Sequence, residues 1–184
     1  MQNFPKQGSV LFFKIMKNKL GKLIVTFLIL AFPLSASANK SGKPNADRVV
    51  IEKDARRMTL YQGKKVLKTY RISLGKEPIG AKQKQGDHKT PEGHYVIDWR
   101  NPYSAFHLSL HISYPSPAQT EDAQVQGVSP GGQIMIHGLP NGMPDVGPFH
   151  RLSDWTDGCV AVTNSEIEEI WNLVPDGTPV DILP

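Results

Sequence analysis

Residues 156–171 read TDGCVAVTNSEIEEIW and join the only cysteine of the chain to the start of a predicted helix. The apolar run after Cys159 is short, which is typical of a buried strand. Thr163 and Glu166 fit the capping box, in which two side chains satisfy backbone N–H groups at the start of a helix. Apolar residues then recur at helical spacing until Pro175, where a helix has to end. The stretch therefore predicts one helix near the C-terminus, directly after a strand.

Outside this stretch the sequence is typical of β-structure, because short apolar runs are separated by Gly, Pro and Asp. In residues 107–113 apolar and polar side chains alternate, so one side of that strand carries His107 and His111. These histidines either face solvent or form the floor of a cleft. Residues 76–91 and 138–157 have the composition of long loops. We predict a mainly β domain, an antiparallel β-sandwich with one packed helix near the C-terminus, with strands at residues 49–51, 58–61, 66–74, 93–99, 107–113, 134–136, 160–162 and 180–183.

The N-terminal residues have the pattern of an export signal. Residues 23–34, LIVTFLILAFPL, form an apolar run that is short for a membrane-spanning helix. Lysines precede this run and the small residues ASA follow it, in the order of a cleavable signal peptide. We predict a signal peptide at residues 1–38 (with Met16 as an alternative start), a linker at 39–47 and one folded domain at 48–184. After cleavage we expect no stable insertion of the protein into the membrane. The alternative is that the apolar run stays uncleaved and acts as a membrane anchor.

The positive charge of the chain belongs to this signal. The formal net charge of the whole chain is +4 at pH 7. Residues 1–38 contain five lysines and no other charged side chain, so removing them from +4 leaves −1. A domain without an excess of positive charge is not expected to bind nucleic acid. The signal predicts an exported protein instead.

Cys159 is a candidate nucleophile because it is the only cysteine of a chain predicted to enter an oxidising compartment. It follows Gly158 at the end of a predicted loop, where the backbone N–H groups of residues 157–159 can form a pocket for an oxyanion. A thiol needs a neighbouring base to react near neutral pH. His137 ends a predicted buried strand and can supply that base if the chain folds back. The alternatives are an inert buried cysteine and a histidine that satisfies only local hydrogen bonds.

Several motifs resemble the L,D-transpeptidases, the family with the YkuD-type catalytic domain. His137 with its following glycine, a loop and the sequence TDGC at residues 156–159 are similar to the family's histidine and cysteine motif. The sequence GDHKTPEG at residues 86–93 resembles a second motif of the family. Residues 107–115, HLSLHISYP, and the VTNSEIEEIW of the predicted helix are similar to the YafK-like branch. The resemblance extends over residues 47–184.

The resemblance implies the family's β-sandwich and an enzyme that acts on the peptide stems of peptidoglycan. Cys159 would attack the carbonyl at the L-centre of diaminopimelate in a tetrapeptide stem, release D-Ala and form a thioester. The amine of another stem, or of a lipoprotein lysine, would then take the acyl group. His137 would be the general base and acid, and Gly158 would supply a backbone N–H to the oxyanion site. No cofactor is implied, and the sequence contains no phosphate-binding glycine loop or dinucleotide motif.

Two positions depart from the family's usual motif. The histidine two residues before the cysteine is Asp157 here, and the arginine or asparagine two residues after it is Ala161. A carboxylate beside a thiol raises the thiol pKa, unless the carboxylate turns away or pairs with a cation such as Arg151. The YafK-like branch also lacks that histidine, and some of its members are hydrolases that detach lipoproteins from peptidoglycan. Hydrolysis is therefore the second predicted activity.

Other side chains are candidates for contacting the substrate. Arg151 and Trp155 lie in the loop before the cysteine, where they either read an anionic peptide stem or belong to an ordinary surface loop. The predicted substrate-binding residues are Gly138, Asp157, His111, Tyr114, Arg151 and Trp155. A zinc site is the alternative use of His107, His111, His137 and Cys159. Their spacing lacks the close pairs of zinc motifs apart from the one histidine pair, so we predict no metal. A non-catalytic wall-binding module is the third functional alternative.

Overall fold

The computed structural model describes residues 45–184, so the predicted signal peptide and most of the predicted linker lie outside the described residues. These residues form eight strands, two α-helices and one 3-10 segment. In chain order they are β1 (Arg48–Glu52), β2 (Arg57–Gln62), β3 (Lys65–Arg71), β4 (Gly93–Ser104), β5 (His107–Ile112), α1 (Pro117–Val125), β6 (Met135–His137), the 3-10 segment (Pro144–Leu152), β7 (Val160–Ala161), α2 (Asn164–Leu173) and β8 (Pro179–Leu183). Within this part of the chain, no helix has the length and apolar character needed to cross a membrane.

All eight strands belong to one sheet, in the order β3-β2-β1-β8-β4-β5-β6-β7. The pairs β1–β8 and β6–β7 are parallel, and the other neighbours are antiparallel. The sheet is therefore mixed, and the predicted antiparallel pairing holds for five neighbouring pairs but not for these two. A parallel pair needs a crossover of a dozen or more residues. The long connection at residues 138–159 supplies that crossover between β6 and β7.

The sheet curls until its two edges meet, so the fold is a half-barrel and not the predicted two-layer sandwich. Ser73, just after β3, exchanges two backbone hydrogen bonds with Ala161 in β7, with N···O distances of 3.0 and 2.9 Å. Strand β4 pairs with β8 in its first part and with β5 in its second, and it contains two register shifts of the kind that bend a strand. One cluster of buried apolar side chains packs against the sheet and α2, and it includes Ile51, Leu60, Ile97, Leu110, Ile136, Val160, Ile167 and Ile182.

Helix α2 begins where the sequence predicts it. Thr163 Oγ accepts the backbone N–H of Glu166 at 3.4 Å, and the Glu166 carboxylate accepts the backbone N–H of Thr163 at 2.9 Å. Ile167 and Ile170 are buried, and the helix lies against β5. The predicted capping box and apolar spacing are therefore confirmed.

Helix α1 is not indicated by apolar spacing, because Ala123 is its only buried residue. Its start does carry local signals. Ser116 and Gln119 form a capping box, and Pro117 occupies the first turn. The prediction of a single helix is therefore incomplete, and the 3-10 segment likewise replaces part of the loop predicted at residues 138–157.

A buried lysine holds the loop at residues 76–91 against the domain. Lys53 is 2% exposed, and its Nζ donates to the carbonyl oxygens of Gly80 at 2.7 Å and Thr90 at 3.1 Å, and to Glu92 Oε1 at 2.7 Å. A buried ammonium is costly unless it is paired and hydrogen-bonded, and here three acceptors match its three N–H bonds. The loop is therefore anchored near both of its ends.

Candidate active site

Two neighbouring strands place Cys159 and His137 on one face of the sheet. β6 and β7 are parallel, with Ile136 opposite Val160 and His137 opposite Ala161. Cys159 comes directly before β7, two residues before Ala161, and the alternation of an extended chain puts its side chain on the face of His137. Both side chains line a cavity of about 300 Å³, which we call the smaller cavity because a second one beside Cys159 is larger.

Cys159 lies between this cavity and a second one of about 670 Å³, the larger cavity. Its Sγ accepts the backbone N–H of Met135 at 3.4 Å and lies 3.5 Å from the carbonyl oxygen of Gln133. Burial raises the pKa of the thiol, and the Asp157 carboxylate raises it too, while the Met135 N–H and the Lys82 ammonium act in the opposite direction. Because the net direction is upward, the resting side chain is a protonated thiol at neutral pH and needs a base.

His137 is a buried, neutral imidazole with a defined tautomer. Its Nδ1 lies 2.7 Å from the carbonyl oxygen of Gly138, so Nδ1 carries the proton and Nε2 is left as an acceptor. The rings of Phe106 and Trp155 pack against it, with centroid distances of 4.5 and 5.7 Å. Burial lowers the pKa of His137 to about 4. The imidazole is therefore unprotonated at Nε2 at neutral pH, the state that a general base requires. Gly138 acts on it through its carbonyl oxygen and lines neither cavity.

The backbone donors around the thiol differ from the predicted arrangement. The N–H of Gly158 donates to Thr156 Oγ1 at 3.1 Å, and Thr156 Oγ1 in turn donates to the carbonyl oxygen of Cys159 at 2.7 Å. The N–H of Gly158 is therefore not free to donate to an oxyanion, because it already donates to the Thr156 hydroxyl. The predicted oxyanion role of Gly158 needs correction. The N–H of Cys159 itself makes no hydrogen bond to any residue between 45 and 184 and is the available donor.

Asp157 lines both cavities, but its carboxylate is engaged with cationic and polar partners. Its Oδ1 lies 3.0 Å from Lys76 Nζ and 2.9 Å from His88 Nδ1. The hydrogen bond from Lys76 is the main cause of a lowered Asp157 pKa, so the carboxylate stays ionised. The predicted partner Arg151 takes no part in this, because its guanidinium pairs with Glu166 at the start of α2.

The remaining predicted substrate contacts fall into two groups. Trp155 lines the smaller cavity beside His137. His111, Tyr114 and Arg151 line neither of the two cavities at Cys159. The ring of His111 stacks on Trp99, with ring centroids 4.9 Å apart, and its Nδ1 lies 2.6 Å from Asp98 Oδ1. Tyr114 is buried, and its hydroxyl donates to the carbonyl oxygen of Pro130 at 2.9 Å.

Several residues of the cavity walls were outside the predicted site. Lys82 and His88 reach the larger cavity from the loop at residues 76–91, and Gln133 lines both cavities. The sequence signal for this wall is the GDHKTPEG motif next to Lys82, which marks the loop without indicating where it folds. The hydrogen bonds of Lys53 to both ends of the loop decide its position.

The three histidines of the alternative zinc site are each bonded to a different group. His107 Nε2 lies 2.7 Å from Glu168 Oε1, while His111 is bonded to Asp98 and His137 to the Gly138 carbonyl. Across residues 45–184, no three His, Cys, Asp or Glu side chains form a group that could hold a metal ion.

The buried His137 makes the stability of the domain sensitive to acid. Its pKa is about 4 in the folded state and about 6.5 for an unperturbed imidazole, so the unfolded chain binds the extra proton first as the pH falls. We expect His137 alone to lower the free energy of unfolding by up to about 3 kcal/mol between about pH 6.5 and 4.5, and to have no such effect above about pH 7. Urea denaturation across this range measures the decrease.

A His137→Gln variant should lose about half of the total pH dependence, whereas His94→Gln should retain all of it because the side chain of His94 is 87% exposed. His150, whose pKa is also lowered to about 4 by burial, contributes the remainder. Equal unfolding free energies at pH 7 and pH 4.5 would contradict the neutral state of the buried imidazole.

The comparisons with known proteins agree with this site. The family model described as the L,D-transpeptidase catalytic domain (YkuD) matches residues 46–182. YafK of Escherichia coli (strain K12), named as an L,D-transpeptidase, is 30% identical over 133 residues, which are 68% of this chain and 46% of YafK. YkuD of Bacillus licheniformis, also named as an L,D-transpeptidase, is 28% identical over 142 residues, which are 74% of this chain and 66% of YkuD.

Among solved structures, the helical cell shape determining protein Pgp2 from Campylobacter jejuni is similar, with 27% identity and a TM-score of 0.56 over 76% of this chain and 48% of Pgp2. Bd1075 from Bdellovibrio bacteriovorus has 25% identity and a TM-score of 0.51 over 76% of this chain and 48% of Bd1075. The chain thus spans about half the length of YafK, Pgp2 and Bd1075. With the catalytic-domain match covering most of its length, the chain belongs to the L,D-transpeptidase family.

Proposed function

We propose that the protein transfers peptidoglycan stem peptides through a thioester at Cys159. The observation that carries this proposal is that a thiol and a buried neutral imidazole lie on the wall of one cavity. Neither side chain is charged at rest, so the thiol proton must move to His137 as the sulfur attacks a carbonyl.

The proposed reaction has two halves. Cys159 Sγ attacks the carbonyl carbon at the L-centre of diaminopimelate in a tetrapeptide stem, and His137 Nε2 takes the thiol proton. The Cys159 N–H stabilises the oxyanion of the tetrahedral intermediate. His137 then gives the proton to the nitrogen of D-Ala, the C–N bond breaks, and the thioester remains. An amine of a second stem, or of a lipoprotein lysine, attacks the thioester while His137 takes its proton and returns one to the sulfur.

The position of His137 gives the two cavities different parts in this proposal. The imidazole must lie beside the nitrogen that leaves and later beside the nitrogen that attacks. His137 lines the smaller cavity and not the larger one, so D-Ala and the acceptor amine are assigned to the smaller cavity. The acyl part of the stem is assigned to the larger cavity, on the other side of Cys159.

We also place this reaction in the periplasm, because the sequence predicts a signal peptide at residues 1–38 and the substrate lies in the cell wall. The name of Pgp2, a cell shape determining protein, is consistent with a role of related domains in the wall. These features support a wall-active enzyme over a cytoplasmic one.

Product analysis tests the proposal. The chain without residues 1–38 is incubated with purified disaccharide tetrapeptides, alongside its Cys159→Ala variant, and D-Ala and muropeptides are followed by mass spectrometry. Dimers linked between two diaminopimelate residues would support the transfer reaction. Tripeptides alone would support the hydrolase alternative, in which water takes the acyl group. The absence of any Cys159-dependent product, including from lipoprotein-linked sacculi, would contradict an enzyme and favour the wall-binding module.

A further inference from the structure

The larger cavity contains a buried cation that the proposed chemistry at sulfur does not use. The side chain of Lys82 is 4% exposed and lines this cavity together with Cys159. Its Nζ donates to Asp87 Oδ1 at 2.7 Å and to the carbonyl oxygen of Lys84 at 3.0 Å. An ammonium has three N–H bonds, and the described residues accept two of them.

Asp87 holds the ammonium in place and is itself bound by several backbone donors. Its carboxylate also accepts the backbone N–H groups of Gln83 at 2.8 Å, Lys84 at 3.0 Å and Lys89 at 3.1 Å. Burial acts to raise the pKa of Asp87, but the hydrogen bond from Lys82 and these three backbone donors lower it to about 2. The carboxylate is therefore ionised, and its negative charge is shared among four donors. The positive field of Lys82 reaches the reaction centre, since it acts to lower the pKa of the Cys159 thiol.

The wall near Lys82 leaves room for a ligand. Gly131 and Gly132 line the larger cavity, and Gly131 has a φ of 77°. A Cβ at Gly131 would lie 3.3 Å from the Cα of Gln85 and 3.6 Å from Lys82 Cε. A side chain at this position would press on the Gln85 backbone and fill the space in contact with the end of Lys82, and the glycine keeps that space open.

We propose that Lys82 binds the carboxylate at the D-centre of diaminopimelate and selects stems that carry it. This inference rests on the proposed function, which assigns the acyl part of the stem to the larger cavity. Diaminopimelate supplies both the attacked carbonyl, at its L-centre, and a free carboxylate at the far end of its side chain. A buried lysine with an available N–H matches that carboxylate, and a charge-assisted hydrogen bond of this kind is strong.

Two matched substrates isolate this contact. One is the tetrapeptide L-Ala-γ-D-Glu-diaminopimelate-D-Ala, and the other has L-Lys in the third position, which keeps the side-chain amine and lacks only the carboxylate. The wild-type protein should release D-Ala from the first with a kcat/KM about 10- to 100-fold higher. Lys82→Met should bring this ratio to within about twofold, and Lys82→Arg should keep part of it. Lys64→Met, which removes an exposed charge from the turn between β2 and β3, should leave the ratio unchanged.

Several outcomes would overturn the proposal. A wild-type protein that does not prefer the diaminopimelate stem contradicts it, whether or not the variants fold. A Lys82→Met variant that loses activity on both stems equally assigns Lys82 to loop support alone. If Lys82→Met instead removes discrimination between D-Glu and D-isoglutamine in the second position, the lysine binds the other carboxylate.

Failure of the proposed reaction is distinguishable from failure of this inference. If the wild-type protein releases no D-Ala from either stem, binding can be compared without turnover. The ligands are the two tripeptides that lack D-Ala, one with diaminopimelate and one with L-Lys in the third position, and calorimetry measures their binding to the Cys159→Ala protein. Tighter binding of the diaminopimelate tripeptide that depends on Lys82 would support the inference, and equal binding would overturn it.

Discussion

Replacing His137 with Gln is expected to slow the release of D-Ala from a tetrapeptide stem by about 100- to 10,000-fold. The thiol of Cys159 has a raised pKa, so it depends on a proton acceptor at neutral pH. The amide of Gln has a similar size and can fill the space beside Phe106 and Trp155, but it cannot carry a proton from the sulfur to the leaving nitrogen. The expected loss therefore appears in kcat of the acylation step, while the cavity keeps its shape.

Single-turnover release of D-Ala, followed by mass spectrometry, measures this effect. His94→Gln is the matched control, since its exposed ring bonds only to Asp181 at the far side of the sheet and should leave the rate unchanged. Urea denaturation of both variants at pH 7 separates a catalytic loss from unfolding. A His137→Gln rate within tenfold of the wild type would assign the proton transfer to another group.

Replacing Gly158 with Ala is the second substitution with a large expected effect. Gly158 has a φ of 128°, and a Cβ added there would lie 2.6 Å from the backbone carbonyl oxygen of Lys89. The loop cannot easily move away, because the next carbonyl, that of Thr90, is bound by the buried Lys53. We expect the free energy of unfolding to fall by about 2–5 kcal/mol from backbone strain and overpacking. D-Ala release should be at least about 100-fold slower, because the Cys159 N–H and Sγ leave their positions.

Gly63→Ala provides the control for the backbone conformation. Gly63 has a φ of 57°, lies in the turn between β2 and β3, and would have no atom within 4 Å of an added Cβ. It should lose about 1–2 kcal/mol of stability and keep full activity. If Gly158→Ala remained as active and as stable as Gly63→Ala, the close approach of the loop to the nucleophile would not constrain the site.

The elements nearest the nucleophile were predictable because their signals are local. The capping box of Thr163 and Glu166 spans three residues, and the apolar spacing of α2 repeats within ten, so no distant contact is needed to recognise the helix. Helix α1 shows the limit of this approach. Its capping box at Ser116 and Gln119 is equally local, but without a buried face the segment lacks the apolar pattern that would have predicted it.

The pairing of the strands was not predictable from the same patterns. Alternation of apolar and polar residues indicates a strand but not its neighbour or its direction. β1 and β8 lie at opposite ends of the domain sequence and are parallel neighbours, and the contact of Ser73 with Ala161 closes the curled sheet. These contacts join residues far apart in the chain, so an antiparallel sandwich and a mixed half-barrel have similar local sequences.

The sequence alone determined the family of this protein and the candidate pair Cys159 and His137, because the motifs around them are short and continuous. The tertiary structure alone decided which other groups meet that pair. In the folded domain the Gly158 N–H is hydrogen-bonded to Thr156, and Lys82 lines the larger cavity. Arg151 forms an ion pair with Glu166 and lines neither cavity at Cys159. The physical reason is the range of the interactions: helix caps and motif residues act within a few positions, whereas cavity walls form where strand pairing and buried ion pairs join distant segments.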